Sequence, residues 1–271
     1  MMKAQEDVDR FVYELLNSRK YCELGLPEVT VRDLIRQEIP KYRTAKEAFK
    51  AVRQKLHNIV APYLGDVDYQ QASEDLLNAF ASGDPQQVRA VCEALLRSHA
   101  STRERLTDLR AFYEQLFTIT GQPDSILDLA CGMNPFAFSW MMLPTTVRYY
   151  AYDIHHPRVA LINQYFSLIG LQPLAEVRDV LVDPPKVEAD VAFFFKEAHR
   201  FEQRRRGCNR DFWRALRVKW LLVSLPVKDL TGHHSIVERQ RALMKRNLAG
   251  LSWVVTELMF DSEVVFCIQK S

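Results

Sequence analysis

Three carboxylates stand at or just after the ends of three short apolar runs. Asp128 lies in the run from Ser125 to Gly132 (SILDLACG), Asp153 closes the run that starts at Tyr149, and Asp179 follows the run ending at Val177. The first run enters a tight turn at Cys131 and Gly132, and Pro135 suits the first turn of a following helix. In open parallel sheets, ligands bind in the crevice outside the carboxyl ends of the strands. Asp153 lies 21 positions after Gly132 (153 − 132), where a carboxylate can accept both ribose hydroxyls of an adenosine-containing ligand. Asp179 is placed to receive an adenine amino group, with the backbone at Val180 against the ring. A dinucleotide site would need further glycines for its pyrophosphate, but Asn134 and Ala137 occupy those positions. S-adenosylmethionine has no pyrophosphate, so the acid series is read as a site for that cofactor.

Those acids need a sheet to hold them. After Gly121-Gln122-Pro123, apolar runs at 125–130, 148–152, 174–177, 190–195 and 220–225 alternate with helical stretches. That alternation indicates a parallel sheet with crossovers. Two further runs, 253–260 and 263–269, are separated only by Asp261 and Ser262, too few residues for a crossover, so they form an antiparallel hairpin. The expected fold is α/β: a Rossmann-like, class I methyltransferase sheet with a final hairpin.

The preceding part reads as helical, with helices expected around 8–16, 29–39, 45–60, 73–80, 85–96 and 102–117. The division expected is a helical domain over 1–100 and a cofactor-binding domain over 101–271. Asp84-Pro85 is a helix start, and Ser101 or Thr102 caps the last of these helices.

The net charge is +2, too small to announce a nucleic-acid binder, but its distribution is uneven. Residues 19–57 hold ten Lys/Arg against five Asp/Glu, and residues 196–219 hold nine against three, including Arg204, Arg205 and Arg206. Such segments can present a local phosphate-binding surface. Five scattered cysteines without a C-x-x-C pair fit a reducing compartment. No apolar run approaches the roughly 20 residues of a membrane span, and MMKAQEDVDRF has acids where a secretory signal needs an apolar stretch, so export is not expected. A cytoplasmic location is expected. The histidine pairs at 155–156 and 233–234 lack supporting ligand spacing, so no metal is expected. No heptad pattern suggests self-association, and a monomer is expected.

The motifs go further than the acids alone. The segment from Arg97 to Leu106 (RSHASTRERL), then DLACGMNPFA, YDIH (Tyr152 to His155), RDVL (Arg178 to Leu181) and FFK (Phe194 to Lys196), resembles the aminoglycoside-resistance methyltransferases of 16S ribosomal RNA. That family methylates N7 of a decoding-site guanine in the 30S subunit. The likeness extends through Arg19 to Tyr21, Lys55 to His57, Ser224 to Pro226 and Ser262 to Ile268, nearly the whole chain.

The resemblance implies cofactor contacts from Tyr63, His99, Ala100, Ser101, Arg105, Ala130, Asp153, Asp179, Val180, Phe194 and Gln203, with Gly132 at the turn. A guanidinium at Arg105 suits the methionine carboxylate. Guanine N7 carries an unprotonated lone pair, so no general base is required, and catalysis rests on positioning and electrostatics. Glu263 is expected to meet the guanine Watson–Crick edge, with Ser224 and Pro226 flanking the base. Lys46, Lys50, Arg53 and Lys55 are expected on RNA phosphates. The chain departs from the family pattern after Lys196 and after Pro226, next to where the base enters. Alternatives left open are a methyltransferase for another rRNA base or a small molecule, or a silent cofactor-binding protein on the ribosome.

Overall fold

The computed structural model describes residues 2–61, 67–228 and 234–270. Helix α1 (Met2–Leu16), α2 (Glu28–Glu38) and α3 (Ala45–Val60) come first. The start of α3 is fixed by a capping box in which the Thr44 side chain accepts from the Glu47 amide and Glu47 accepts from the Thr44 amide. Helix α4 (Tyr69–Ala81) is capped by Asp68, and α5 (Pro85–Ser98) by Asp84 with proline at its first position.

The helix expected over 102–117 is not continuous. A short α6 (Ala100–Arg103), with His99 as its N-cap residue, gives way to a 3-10 turn at Leu106–Asp108, and α7 (Leu109–Thr120) then begins. Neither Ser101 nor Thr102 caps it from outside. Thr102 instead donates its hydroxyl back to the Leu96 and His99 carbonyls, an alternative to the helical ladder that Thr offers readily. This break turns Arg105 inward.

Seven strands follow: β1 (Ser125–Leu129), β2 (Arg148–Asp153), β3 (Ala175–Val177), β4 (Glu188–Phe195), β5 (Arg217–Pro226), β6 (Val254–Met259) and β7 (Glu263–Gln269). Helices α8 (Phe138–Met141), α9 (His156–Leu168), α10 (Ala198–Arg204), α11 (Cys208–Ala215) and α12 (Val237–Leu248) lie between them. The sheet order is β3-β2-β1-β4-β5-β7-β6, with β7 inserted antiparallel between β5 and β6 and the other pairings parallel. The parallel sheet and the closing hairpin are both as the sequence indicates. The strand order reverses beside β1, which puts the switch point of the sheet at Asp128.

The helices before the sheet pack into two different cores. Phe11, Leu34, Val52, Leu56 and Val60 build one core cluster for α1 to α3. Leu76, Leu95 and Leu96 of α4 and α5 instead share a cluster with Tyr113, Phe136, Phe193 and Cys267, on one face of the sheet. The other face packs Phe194, Phe201, Phe212 and Trp213. The apolar faces of α4 and α5 are as amphipathic as those of α1 to α3, so periodicity alone does not say which core each helix joins.

Candidate functional site

The carboxyl ends of β1 and β2 are wired together by their turns. Ala130 takes a φ of 53°, a left-handed conformation that costs an L-residue roughly 1–2 kcal/mol. Gly132 repeats it at 55° without that cost. A Cβ at Gly132 would stand 3.4 Å from the His99 imidazole, an ordinary contact, so the ring lies directly against the turn and the glycine answers to its positive φ. The His99 Nδ1 is 2.7 Å from the Ser101 hydroxyl. Thus the segment from His99 to Ser101 is brought onto the turn that carries Gly132.

Asp153, at the end of β2, is 2% exposed. Its Oδ2 accepts from the Gly132 amide at 3.1 Å and pairs with Arg158 at 3.3 Å, and its Oδ1 accepts from the His155 amide at 3.0 Å. Asp179, beyond β3, accepts from the Leu181 amide at 3.2 Å and the Thr30 hydroxyl at 2.8 Å, and it pairs with Arg204. Both acids therefore stand at adjacent strand ends as the sequence indicates, Asp153 held by the buried Arg158 and Asp179 by the half-buried Arg204, which turns inward from the basic run expected on a phosphate-binding surface.

Arg105 is the centre of a buried polar network. Its Nε and Nη2 donate to the two oxygens of Glu263, the second at 2.9 Å, in a bidentate pair. Nη1 donates to Asn134 Oδ1 at 3.1 Å and Nη2 to Ser224 at 3.4 Å. The guanidinium lies between the rings of Phe112 and Phe195, 4.8 and 4.6 Å from their centroids. Asn134 also accepts from Tyr113 at 2.8 Å and donates to Asp128 at 2.9 Å, and Tyr149 donates to Asp128 at 2.7 Å.

Burial pushes the Asp128 carboxyl up to about 7, against the lowering effect of its bonds from Asn134 and Tyr149. Burial alone would raise Glu263 too, but the Arg105 and Lys196 charges outweigh it and hold that carboxyl below its ordinary value. Lys196, at a φ of 58° after β4, approaches Glu263 at 3.6 Å and also pairs with Glu104.

Several of the expected site residues lie inside the protein. Glu263 and Ser224 are wholly buried beneath Arg105, so neither presents an edge to a base; Glu263 opposes Pro226 across β5 and β7. Pro226 ends β5 half-buried. Phe194 is 0% exposed, packed edge-on against Phe201 and Phe212, because strand alternation turns it into the far core while Phe193 and Phe195 face the Arg105 side. Val180 is buried beside it in the same cluster. Gln203 is exposed on α10. Tyr63 lies outside the described residues.

Of the basic set, Lys46, Lys50 and Arg53 are exposed on α3. Lys50 and Arg53 line a groove of about 460 Å³ with Lys20, Tyr21 and His57. Lys55 turns away from it to Glu38, 2.7 Å distant, a carboxylate it shares with Lys41. A four-residue step along a helix returns to one face, whereas the two residues from Arg53 to Lys55 do not.

Asn134, Arg158, Arg204 and Thr30 hold these polar networks, and none of them is among the expected site residues. Asn134 had one signal, a polar residue where a dinucleotide binder needs glycine. The arginines carried none, since a buried arginine and a surface arginine look alike in sequence.

The donor and acceptor set fits S-adenosylmethionine. Carboxylates stand where ribose and adenine donors would come, and a guanidinium and a glycine turn stand near the β1 end. A sheet of this strand order, with those groups at its carboxyl ends, defines a class I methyltransferase fold. Residues 17–267 match the family model described as ribosomal RNA methyltransferase (FmrO). The chain is 31% identical over 272 residues to the 16S rRNA (guanine(1405)-N(7))-methyltransferase of Frankia casuarinae, covering 98% of this chain and 95% of the relative. To the enzyme of the same name from Micromonospora echinospora it is 29% identical, covering 98% of each. The structure of the 16S rRNA methyltransferase RmtF in complex with S-adenosyl-L-homocysteine superposes with a TM-score of 0.78 at 27% identity, covering 97% of this chain and 98% of that one. The 16S rRNA methylase RmtB repeats the fold at a TM-score of 0.77 and 24% identity, with coverage of 97% and 98%. The chain belongs to the ribosomal RNA methyltransferase (FmrO) family and is an S-adenosylmethionine-dependent enzyme acting on ribosomal RNA.

Proposed function

We propose that this enzyme methylates N7 of guanine 1405 of 16S rRNA within the assembled 30S subunit, in the cytoplasm and as a monomer, and thereby confers aminoglycoside resistance. The observation that carries the reading is the extent of the likeness. The Frankia relative named for that activity aligns over 98% of this chain, the helical region included, and not over the cofactor domain alone.

When bound, S-adenosylmethionine supplies an electrophilic methyl group on a sulfonium. The protein's own residues hold and orient. Asp153 takes the ribose hydroxyls, and Asp179 with the Val180 backbone takes the adenine. His99, Ala100, Ser101 and the Ala130 to Gly132 turn close around the methionine end, and Arg105 supplies its positive charge. Gln203 completes the set at the rim, Tyr63 is a further cofactor contact that the family likeness implies, and Phe194 contributes main chain only. Glu263 and Ser224 act by fixing Arg105, while Pro226 remains to flank the base. Because guanine N7 already offers a lone pair, such rigid positioning suffices without a proton acceptor. No helix among the described residues is long and apolar enough to cross a membrane.

Docking falls to Lys46, Lys50 and Arg53 with Lys20 and His57, which meet phosphates and give register without reading bases. In A-form RNA the purine N7 edge is hidden in the deep groove, so the target nucleotide is turned out of its helix. The subunit's shape then selects the site, and naked 16S rRNA is expected to accept far less methyl than assembled subunits. The test is transfer of labelled methyl to purified 30S subunits, with the product mapped by chemical cleavage at 7-methylguanine. Cleavage at guanine 1405 is the expected result. Label at another nucleotide overturns the assigned target, and equal rates on naked RNA overturn the shape argument.

A further inference from the structure

The run Arg204 to Arg206 belongs to one of the two basic segments of the sequence, yet Arg204 is spent in the interior. Its Nη1 donates to Asp179 Oδ1 at 3.0 Å, and its Nη2 lies 2.6 Å from Asp179 Oδ2. The same Nη2 stands 3.5 Å from Asp33 Oδ2 on α2. Its Nε is buried without a partner among the described residues, so this seat satisfies the guanidinium incompletely. Asp33 is further contacted by Gln37 at 2.7 Å and Arg205 at 3.7 Å.

Asp179 is crowded. Beyond the two arginine nitrogens it accepts from the Leu181 amide and from the hydroxyl of Thr30, also on α2. A carboxylate offers about four lone-pair sites, and these four donors address them all. A ligand amino group that joins Asp179 must share or take over one of those places. The Leu181 amide is fixed by its own turn, and the Thr30 hydroxyl is wholly buried against Asp179. Arg204 alone has a second acid within reach, so it can yield a place without leaving its charge unpaired.

We propose that Arg204 is a positioning residue through which helix α2 sets how strongly Asp179 accepts the adenine amino group. The proposal rests on the assignment of Asp179 to adenine made above. Asp33 and Asp179 draw on one guanidinium. With the Asp33 charge present, Arg204 is shared and a place on Asp179 can open. Without it, Arg204 closes on Asp179 and the amino group meets a saturated acceptor. Helix α2 packs with α3, which carries the docking groove. Cofactor binding and subunit docking therefore bear on one packed unit, and any coupling between them is reciprocal.

The test is calorimetric binding of S-adenosylhomocysteine and of S-inosylhomocysteine, whose base carries an oxo group in place of the amino donor. The ratio of the two Kd values reports amino-group recognition and is independent of the folded fraction. Asp33→Asn is expected to lower that selectivity by about fivefold or more. Asp33→Glu is expected to restore it, and Asp33→Asn is expected to add nothing in an Arg204→Gln background. An unchanged ratio in Asp33→Asn, or the same drop with and without Arg204, overturns the proposal. Asp179→Asn separates the two levels. A wild-type ratio there removes Asp179 from adenine recognition and the proposal with it. A flattened ratio there beside an unchanged one in Asp33→Asn sinks the coupling alone.

Discussion

At the carboxyl end of the sheet, Arg105 is buried and gives its donors to Glu263, Asn134 and Ser224. In the helical groove, Lys50 and Arg53 stand exposed, and Arg53 rests on the ring of Phe11, 4.9 Å from its centroid. The two regions spend positive charge on opposite terms. Buried charge is tolerable only with full pairing, and that pairing makes the first region rigid and costly to alter. Exposed charge stays hydrated and adds little to stability, which leaves the second region available for a polyanion.

The sharpest way to break this contrast is Arg105→Met. It leaves Glu263 buried with only Lys196, 3.6 Å away, to offset its charge, so a loss of about 3–5 kcal/mol in urea unfolding is expected. A loss under about 1 kcal/mol, the range of an exposed pair, would erase the distinction.

Next comes pH. Burial raises the Asp128 carboxyl to about 7, so between pH 4 and 7 the folded protein binds more protons at this site than the unfolded chain. The stability associated with neutral Asp128 is complete below the unfolded pKa and is lost as pH rises through 7. Relative to Asp128→Asn, the wild type should therefore lose stability across that window, read from unfolding midpoints at pH 4.5 and 7.5. A constant difference would show that Asp128 is ionised throughout.

Asn134→Ala removes the bridge between Arg105 and Asp128 and should cost about 1–3 kcal/mol. Smallest of all, Lys50→Glu with Arg53→Glu should change stability by no more than about 0.5 kcal/mol, measured by the same unfolding assay. A larger loss would move the groove into the structural category of the sheet end.

The same contrast explains what was legible in the sequence. The strands, the hairpin and the acids at strand ends follow from apolar runs and turns, which are local signals. Helix α3 was legible to the residue from its apolar spacing, and the Thr44–Glu47 cap fixes the same start in the structure. The break before Arg105 was not, and neither was the partner that Arg105 then meets, Glu263, 158 positions away (263 − 105). Ser224 and Glu263 could be singled out in the sequence, but not their inward orientation onto Arg105. A carboxylate that meets a ligand and one that anchors an arginine have the same sequence signature. Arg158 and Arg204 were hidden for the same reason, and the joining of α4 and α5 to the sheet core rests on tertiary packing that periodicity does not encode.

The most direct test of this division of labour is steady-state methyl transfer to 30S subunits by the Lys50→Glu, Arg53→Glu variant across a range of subunit concentrations. A groove that only docks RNA predicts a KM raised about tenfold or more, with kcat close to wild type, since phosphate contacts set affinity and not chemistry. A fall in kcat at unchanged KM would contradict the account, because it would place the exposed groove in the reaction itself.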